Sequence, residues 1–88
     1  MISKTVTVSN KLGLHARPCS MLVKTAGKFR SDLKIKKNGM EVNGKSIMGV
    51  MMLAAECGST LEVIFDGVDE EDAFTEIERL FLSNFDEE

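Results

Sequence analysis

The chain has 88 residues, 43% of them hydrophobic and 28% charged, which is the composition of one small globular domain over residues 1–88. No run approaches the roughly 18 consecutive apolar residues of a membrane-spanning helix, and the net charge of −3 argues against global disorder. Two cysteines and one histidine give too few soft ligands for a tetrahedral zinc site, so we expect neither a metal nor another cofactor.

Charge is distributed unevenly along the chain. Up to Ser46 there are ten Lys and Arg residues against two acids, and beyond it Arg79 alone stands against twelve acids. This asymmetry favours a basic face that meets an anionic group, although most of these charges need only solvate exposed surfaces. Nucleic acid is not expected as a partner, because the chain has no Trp or Tyr for base stacking. The first residues lack the apolar region of a signal peptide and the cysteines lack paired spacing, so we expect a cytoplasmic protein with reduced thiols and no membrane insertion.

The first third of the sequence predicts a strand, a loop and a helix. Alternating β-branched residues over 2–8 are typical of a half-buried strand, and turn residues follow at 9–13. Apolar residues then recur at the i, i+3, i+4, i+7 spacing of one helical face over 16–26. Gly27 supplies a stop for that helix.

The middle of the sequence predicts a hairpin and a short helix. Apolar residues alternate with lysines over 33–36, and Asn38-Gly39 is a strong two-residue hairpin signal that leads into a strand over 40–42. Ser46 is a suitable N-cap for a helix that extends to about residue 53.

The last third predicts a strand over 60–65 and an amphipathic helix over 69–85, whose first turn is acidic as the helix dipole favours. The element order is therefore βαββαβα. Each amphipathic helix needs a hydrophobic sheet face to cover, so we predict an α+β fold: a four-stranded antiparallel sheet with three helices on one face.

The segment with the clearest chemical character is Gly13-Leu14-His15-Ala16-Arg17-Pro18, between the first strand and the first helix. The first N–H groups of a helix have no intrahelical partner and, together with the dipole, form an anion site. Proline prefers the first helical position, which would instead make Arg17 the cap, but either boundary leaves the N–H groups near Ala16 and Arg17 close to the imidazole of His15. A guanidinium beside them matches phosphate oxygens, and imidazole is a nucleophile near neutral pH. A lone histidine at a helix start is usually a polar surface residue; the flanking Gly, Arg and Pro favour a phosphoryl relay.

This segment resembles the phosphohistidine signature of HPr, the family of histidine-containing phosphocarriers of the bacterial phosphoenolpyruvate:sugar phosphotransferase system. The segment Lys45-Ser46-Ile47-Met48-Gly49-Val50-Met51 resembles the regulatory serine region of the same family. The resemblance covers essentially the whole chain. Small departures occur: Cys19 and Ser20 follow Pro18, and many relatives have glycine where this chain has Ala54.

The resemblance implies an open-faced β-sandwich and a set of partners. His15 would accept a phosphoryl group on Nδ1 from Enzyme I, with Arg17 assisting, and pass it to IIA components of sugar permeases. It also implies that Ser46 is a target of HPr kinase/phosphorylase. As a carrier rather than an enzyme, the protein would be consumed stoichiometrically and regenerated, and we expect it to be a monomer.

Two further features of the second segment have alternative explanations. Capping alone could account for Ser46, since serine at an N-cap is worth about 1 kcal/mol over alanine. Methionine adapts its shape to unlike partners, so a docking surface could form here, although each residue could equally be a core filler. The candidate docking residues are Leu14, Met21, Ile47, Met48, Met51 and Met52.

Two functions compete with phosphoryl carriage. The first is a regulatory phosphorelay or binding module of the same fold, which would act through Ser46 and the methionines on an enzyme or a transcription regulator. The second, a histidine-nucleophile phosphatase, is disfavoured because no general acid lies near His15 in the sequence.

Overall fold

The computed structural model describes residues 1–87, which form four strands and three helices. The strands are β1 (Ile2–Thr7), β2 (Asp32–Lys37), β3 (Met40–Asn43) and β4 (Thr60–Asp66). The helices are α1 (Ala16–Ala26), α2 (Ile47–Met52) and α3 (Glu70–Leu82), and a short 3₁₀ turn follows at Asn84–Asp86. None of the helices within residues 1–87 is long and apolar enough to cross a membrane.

The four strands form one antiparallel sheet in the order β1-β4-β2-β3. Ile2 lies opposite Phe65 in the β1–β4 pair, and Leu33 lies opposite the same residue in the β2–β4 pair. Because side chains alternate along a strand, this register places the apolar residues of neighbouring strands on one face. The predicted α+β fold with the order βαββαβα is confirmed.

The core lies between that face and the helices. Strand residues Leu61, Val63 and Phe65 are fully or almost fully buried, and so are Leu22 of α1 and Ile77 of α3. One face of each amphipathic helix is thereby removed from water, which supplies most of the driving force for folding. The same packing fixes the start of α1 relative to the sheet.

The hairpin predicted from Asn38-Gly39 is present. Both residues have positive φ, 50° and 85°, as a type I′ turn requires. Lys37 and Met40 pair directly across the turn. The turn chemistry therefore sets the register of β2 and β3.

The predicted end of the last helix is wrong. The helix expected over 69–85 has Asp69 as its N-cap and ends at Leu82. Beyond it the backbone turns left-handed, with φ of 54°, 54° and 58° at Asn84, Phe85 and Asp86. Phe85 is nevertheless fully buried, edge-on to Phe81 at a ring-centroid distance of 5.0 Å. The apolar pattern thus continued through residue 85, but a turn rather than a helix delivers that side chain to the core.

Candidate functional site

The loop before α1 is clamped against the loop after α2. Leu14 N–H donates to the carbonyl of Ala55 at 2.8 Å, and Gly13 N–H donates to the carbonyl of Asn10 at 3.0 Å. Gly13 has φ of 66°, and a Cβ there would collide with the carbonyl oxygen of Ala55 and lie 2.9 Å from Cα of Glu56. Only glycine tolerates both the left-handed backbone and the lack of room for a Cβ, so Gly13 determines where the loop places His15.

His15 is the N-cap of α1, with extended backbone angles of −81° and −172°. The first intrahelical hydrogen bond runs from Cys19 N–H to the His15 carbonyl at 3.1 Å. Pro18 is the third helical residue, so the alternative in which Arg17 caps the helix does not hold. No hydrogen bond within residues 1–87 engages the backbone N–H groups of Ala16 and Arg17. These two donors flank the imidazole, which is 36% exposed, and they are oriented along the helix axis toward any anion bound there.

The site contains an acidic residue that the sequence did not predict. The Glu87 carboxylate accepts from His15 Nε2 at 3.0 Å and from Arg17 Nη1 at 3.2 Å. Hydrogen bonds from Asn10, His15 and Arg17 lower the pKa of Glu87 below its usual value, against the effect of burial. The carboxylate is therefore ionised at neutral pH. An imidazole, a guanidinium and a carboxylate therefore meet at the start of α1.

Asn10 connects the loop to this group. Its side chain is almost completely buried and its Nδ2 donates both to the Gly13 carbonyl at 2.7 Å and to Glu87 Oε1 at 3.0 Å. The sequence placed this residue in a loop of turn formers and gave no role to it. An asparagine three residues before Gly13 is a signal for a side chain that binds the loop backbone. Nothing in the sequence indicates its second partner, Glu87.

Ser46 is the N-cap of α2, as predicted. Its Oγ accepts from Gly49 N–H at 3.1 Å, and its side chain is partly exposed. The other end of this short helix is stabilised by Lys37, whose Nζ donates to the carbonyls of Leu53 and Ala54. A positive charge at a helix C-terminus complements the dipole.

The methionine patch, defined here as Ile47, Met48, Met51 and Met52, lies on α2 and is exposed to solvent. The exposed fractions run from 43% for Ile47 to 76% for Met48. Leu14, which was expected on the same surface, is only 5% exposed and belongs to the core. Met21 is partly buried and packs against the core.

The cysteines show no sign of a disulfide or metal role. Cys19 is fully buried, its Sγ donates to the Leu14 carbonyl, and burial raises the pKa of its thiol. Cys57 is exposed and free. No group of three or more His, Cys, Asp and Glu residues suited to a metal ion occurs in the part of the chain that the structure describes.

Taken together, the start of α1 offers a partly exposed imidazole, a guanidinium and two backbone donors without a partner among residues 1–87. This set can bind and orient a small tetrahedral anion next to a ring nitrogen. The neighbouring Glu87 carboxylate accepts from the ring, and its lowered pKa keeps it ionised at neutral pH.

Comparison with known proteins places these features in one family. The family described as "PTS HPr component phosphorylation site" matches residues 2–83. The phosphocarrier protein HPr of Treponema pallidum is 49% identical over 88 residues, covering both chains completely. A crystal structure of HPr from Thermoanaerobacter tengcongensis superposes with a TM-score of 0.96 at 42% identity, covering 100% of this chain and 99% of the other. The Bacillus subtilis catabolite repression containing protein Crh, described as a swapped dimer, gives a TM-score of 0.76 at 38% identity over 96% of this chain and 97% of its own.

Proposed function

The chain belongs to the HPr family of phosphocarrier proteins of the phosphotransferase system, and from that premise we propose that His15 is its phosphoryl acceptor. The single observation that carries the proposal is the placement of His15 as the N-cap of α1, partly exposed and flanked by the backbone N–H groups of Ala16 and Arg17. We propose further that residues 1–88 act as one cytoplasmic domain and as a monomer.

The donor is Enzyme I, charged from phosphoenolpyruvate, and the acceptors are IIA domains of sugar permeases. In the accepting step the lone pair of Nδ1 forms a bond to phosphorus while the bond between phosphorus and the donor atom breaks, with its electrons leaving on the donor. The N–H groups of Ala16 and Arg17 and the Arg17 guanidinium offset the phosphoryl charge, and one negative charge at an exposed helix N-terminus gains about 0.3–1 kcal/mol from the helix dipole. Because these interactions are modest and exposed, the group stays transferable to the next acceptor.

Partner docking falls to the methionine patch on α2, together with the partly buried Met21. Flexible side chains adapt to surfaces of different shape, which a carrier needs because donor and acceptors are unlike one another. The exposure of Met48 and Met52, 76% and 66%, supports this assignment. Leu14, being buried, has no part in it.

Regulation is assigned to Ser46, as the substrate of an HPr kinase/phosphorylase. Its hydroxyl is at the N-terminus of α2, where added negative charge is electrostatically tolerated, so the fold survives phosphorylation. The added charge instead changes partner docking, because the phosphate on Ser46 places a dianion beside the methionine patch.

The decisive experiment is incubation of the purified protein with Enzyme I and labelled phosphoenolpyruvate. We expect one acid-labile, base-stable phosphate per chain, lost in His15→Ala and retained in Ser46→Ala as the matched control. A IIA domain added afterwards should remove the label. Label that persists in His15→Ala would contradict the assignment.

The similarity to Crh favours a second candidate, a regulatory module that docks on an enzyme or a transcription regulator through Ser46 and the methionine patch. The presence of His15 at an accessible helix start favours phosphoryl carriage instead, and both roles can coexist in one chain. Capture of partner proteins with Ser46→Ala and with Ser46→Asp tests the regulatory role. Different sets of partners support a regulatory switch at Ser46, and identical sets contradict it.

A further inference from the structure

The contact between Glu87 and His15 has a consequence for which ring nitrogen can act. The Glu87 Oε2 atom lies 3.0 Å from His15 Nε2. An ionised carboxylate only accepts hydrogen bonds, so Nε2 must carry the hydrogen. In a neutral imidazole the lone pair is then on Nδ1. The nucleophilic nitrogen is thus selected by a residue far along the sequence.

Glu87 is held in place by surrounding structure. Its other oxygen accepts from the buried amide of Asn10 at 3.0 Å, and that amide also holds the Gly13 carbonyl. Two residues earlier, Phe85 is fully buried against Phe81, which anchors the left-handed turn that precedes the carboxylate. The side chain of Glu87 is only 17% exposed. A carboxylate fixed at both oxygens and anchored through its backbone restricts the rotation of the imidazole that it contacts.

We propose that Glu87 is a positioning residue for phosphoryl transfer: it keeps the hydrogen on His15 Nε2, presents the Nδ1 lone pair and offsets the ring charge that forms. This inference rests on the proposed function. When Nδ1 bonds to phosphorus and the donor bond breaks, Nε2 keeps its hydrogen and the ring becomes cationic. The carboxylate already faces that ring, so no proton has to move in the step. A carboxylate also orients an imidazole in hydrolytic triads, but there it accepts from Nδ1–H and leaves Nε2 as the reactive nitrogen, the reverse of the contact at His15.

A competing explanation predicts that the same contact slows phosphorylation instead of assisting it. Glu87 also accepts from Arg17 Nη1 at 3.2 Å, so the carboxylate could compete with the incoming phosphoryl group for the guanidinium. In that case removing the carboxylate would accelerate phosphorylation. In the positioning account removal slows it, because the ring loses both its orientation and its counter-charge.

The test combines two readouts on Glu87→Ala and Glu87→Gln. Long-range ¹H–¹⁵N NMR of the His15 ring, at a pH where the ring is neutral, reports the tautomer without any phosphoryl donor. We expect the Nε2–H form in the wild type, a measurable population of the Nδ1–H form in Glu87→Ala, and an intermediate result in Glu87→Gln, whose amide oxygen can still accept. The rate of phosphorylation by Enzyme I should fall roughly two- to fivefold in Glu87→Ala, the range expected for the loss of one partly exposed charge pair.

The control is Glu71→Gln, which removes the same charge from the first turn of α3. That turn lies beside Arg30 and Ser31, which follow the end of α1, whereas His15 is at its start. Glu71→Gln should change neither the tautomer of the His15 ring nor the rate of phosphorylation. An unchanged tautomer in Glu87→Ala, or faster phosphorylation, would overturn the proposal. A wild-type protein that takes no phosphate would instead overturn the proposed function, while the tautomer measurement would still stand.

Discussion

Replacing Gly13 by alanine should distort the loop that carries His15. The residue has φ of 66°, and the added Cβ would meet the Ala55 carbonyl oxygen and approach Cα of Glu56 at 2.9 Å. Both neighbours are backbone atoms, so relief requires that one of the two loops move. The same carbonyl accepts the hydrogen bond from Leu14 N–H at 2.8 Å, which that movement would break.

The expected loss follows from three contributions. A left-handed backbone costs an L residue about 1–2 kcal/mol, and the collision adds about 1–3 kcal/mol. Alanine also lowers the entropy of the unfolded chain, which stabilises the folded protein by about 0.4–1 kcal/mol and offsets part of that loss. We therefore expect Gly13→Ala to lower the free energy of unfolding by about 1–5 kcal/mol, with a central value of about 3 kcal/mol.

Gly39 offers a matched control in the same chain. It has a similar left-handed φ of 85°, but no heavy atom lies within 4 Å of the Cβ that alanine would add. Gly39→Ala should therefore cost only the backbone contribution, about 1 kcal/mol. Urea unfolding with unchanged m-values gives both numbers. Equal losses of unfolding free energy in the two variants would refute the clash at Gly13. Phosphorylation by Enzyme I should be slowed only in Gly13→Ala.

Substitutions at three other positions test separate parts of the fold. The Ser31 hydroxyl and the N–H groups of Arg30 and Ser31 lower the pKa of Asp69 from 3.8 to about 2. Its stabilising contribution is therefore complete above about pH 4 and lost as the pH falls through 2, so Asp69→Asn should flatten the stability profile in that interval; parallel profiles would contradict this. Ala54 has φ of 47° at the end of α2, so Ala54→Gly should stabilise the protein by about 0.5–1 kcal/mol in urea unfolding, and a loss would contradict the strain. Ser46→Ala should cost about 1 kcal/mol through the lost cap, whereas Ser46→Asp should keep wild-type stability, and equal losses would show that capping is not the reason.

The sequence predicted the elements whose signals are local. Residues 16–26 repeat with helical spacing and Asn38-Gly39 has the chemistry of one turn type, so α1 and the β2–β3 hairpin were found with nearly correct bounds. The last helix was extended to residue 85 because Phe85 continues the apolar spacing from Phe81. The turn that replaces the final helical segment depends on tertiary packing of Phe85, which periodicity does not contain.

The candidate site was predicted only where its residues are adjacent in the chain. His15 and Arg17 stand together in a motif, and the helix start that activates them follows from the pattern beside it. Glu87 is 72 positions from His15, and only the fold brings the two together. Asn10 is indistinguishable in sequence from an ordinary turn former, and the burial of Leu14 depends on how its loop packs.

Site-localising mass spectrometry of the protein isolated from growing cells, kept at neutral to alkaline pH, tests the central assignment most directly. We predict a phosphorylated population with the phosphate on His15, which acid treatment removes and which is absent from His15→Ala. A phosphate found only on other residues, with His15 always unmodified while a phosphoenolpyruvate-charged Enzyme I is present, would contradict the assignment of His15 as the phosphoryl acceptor.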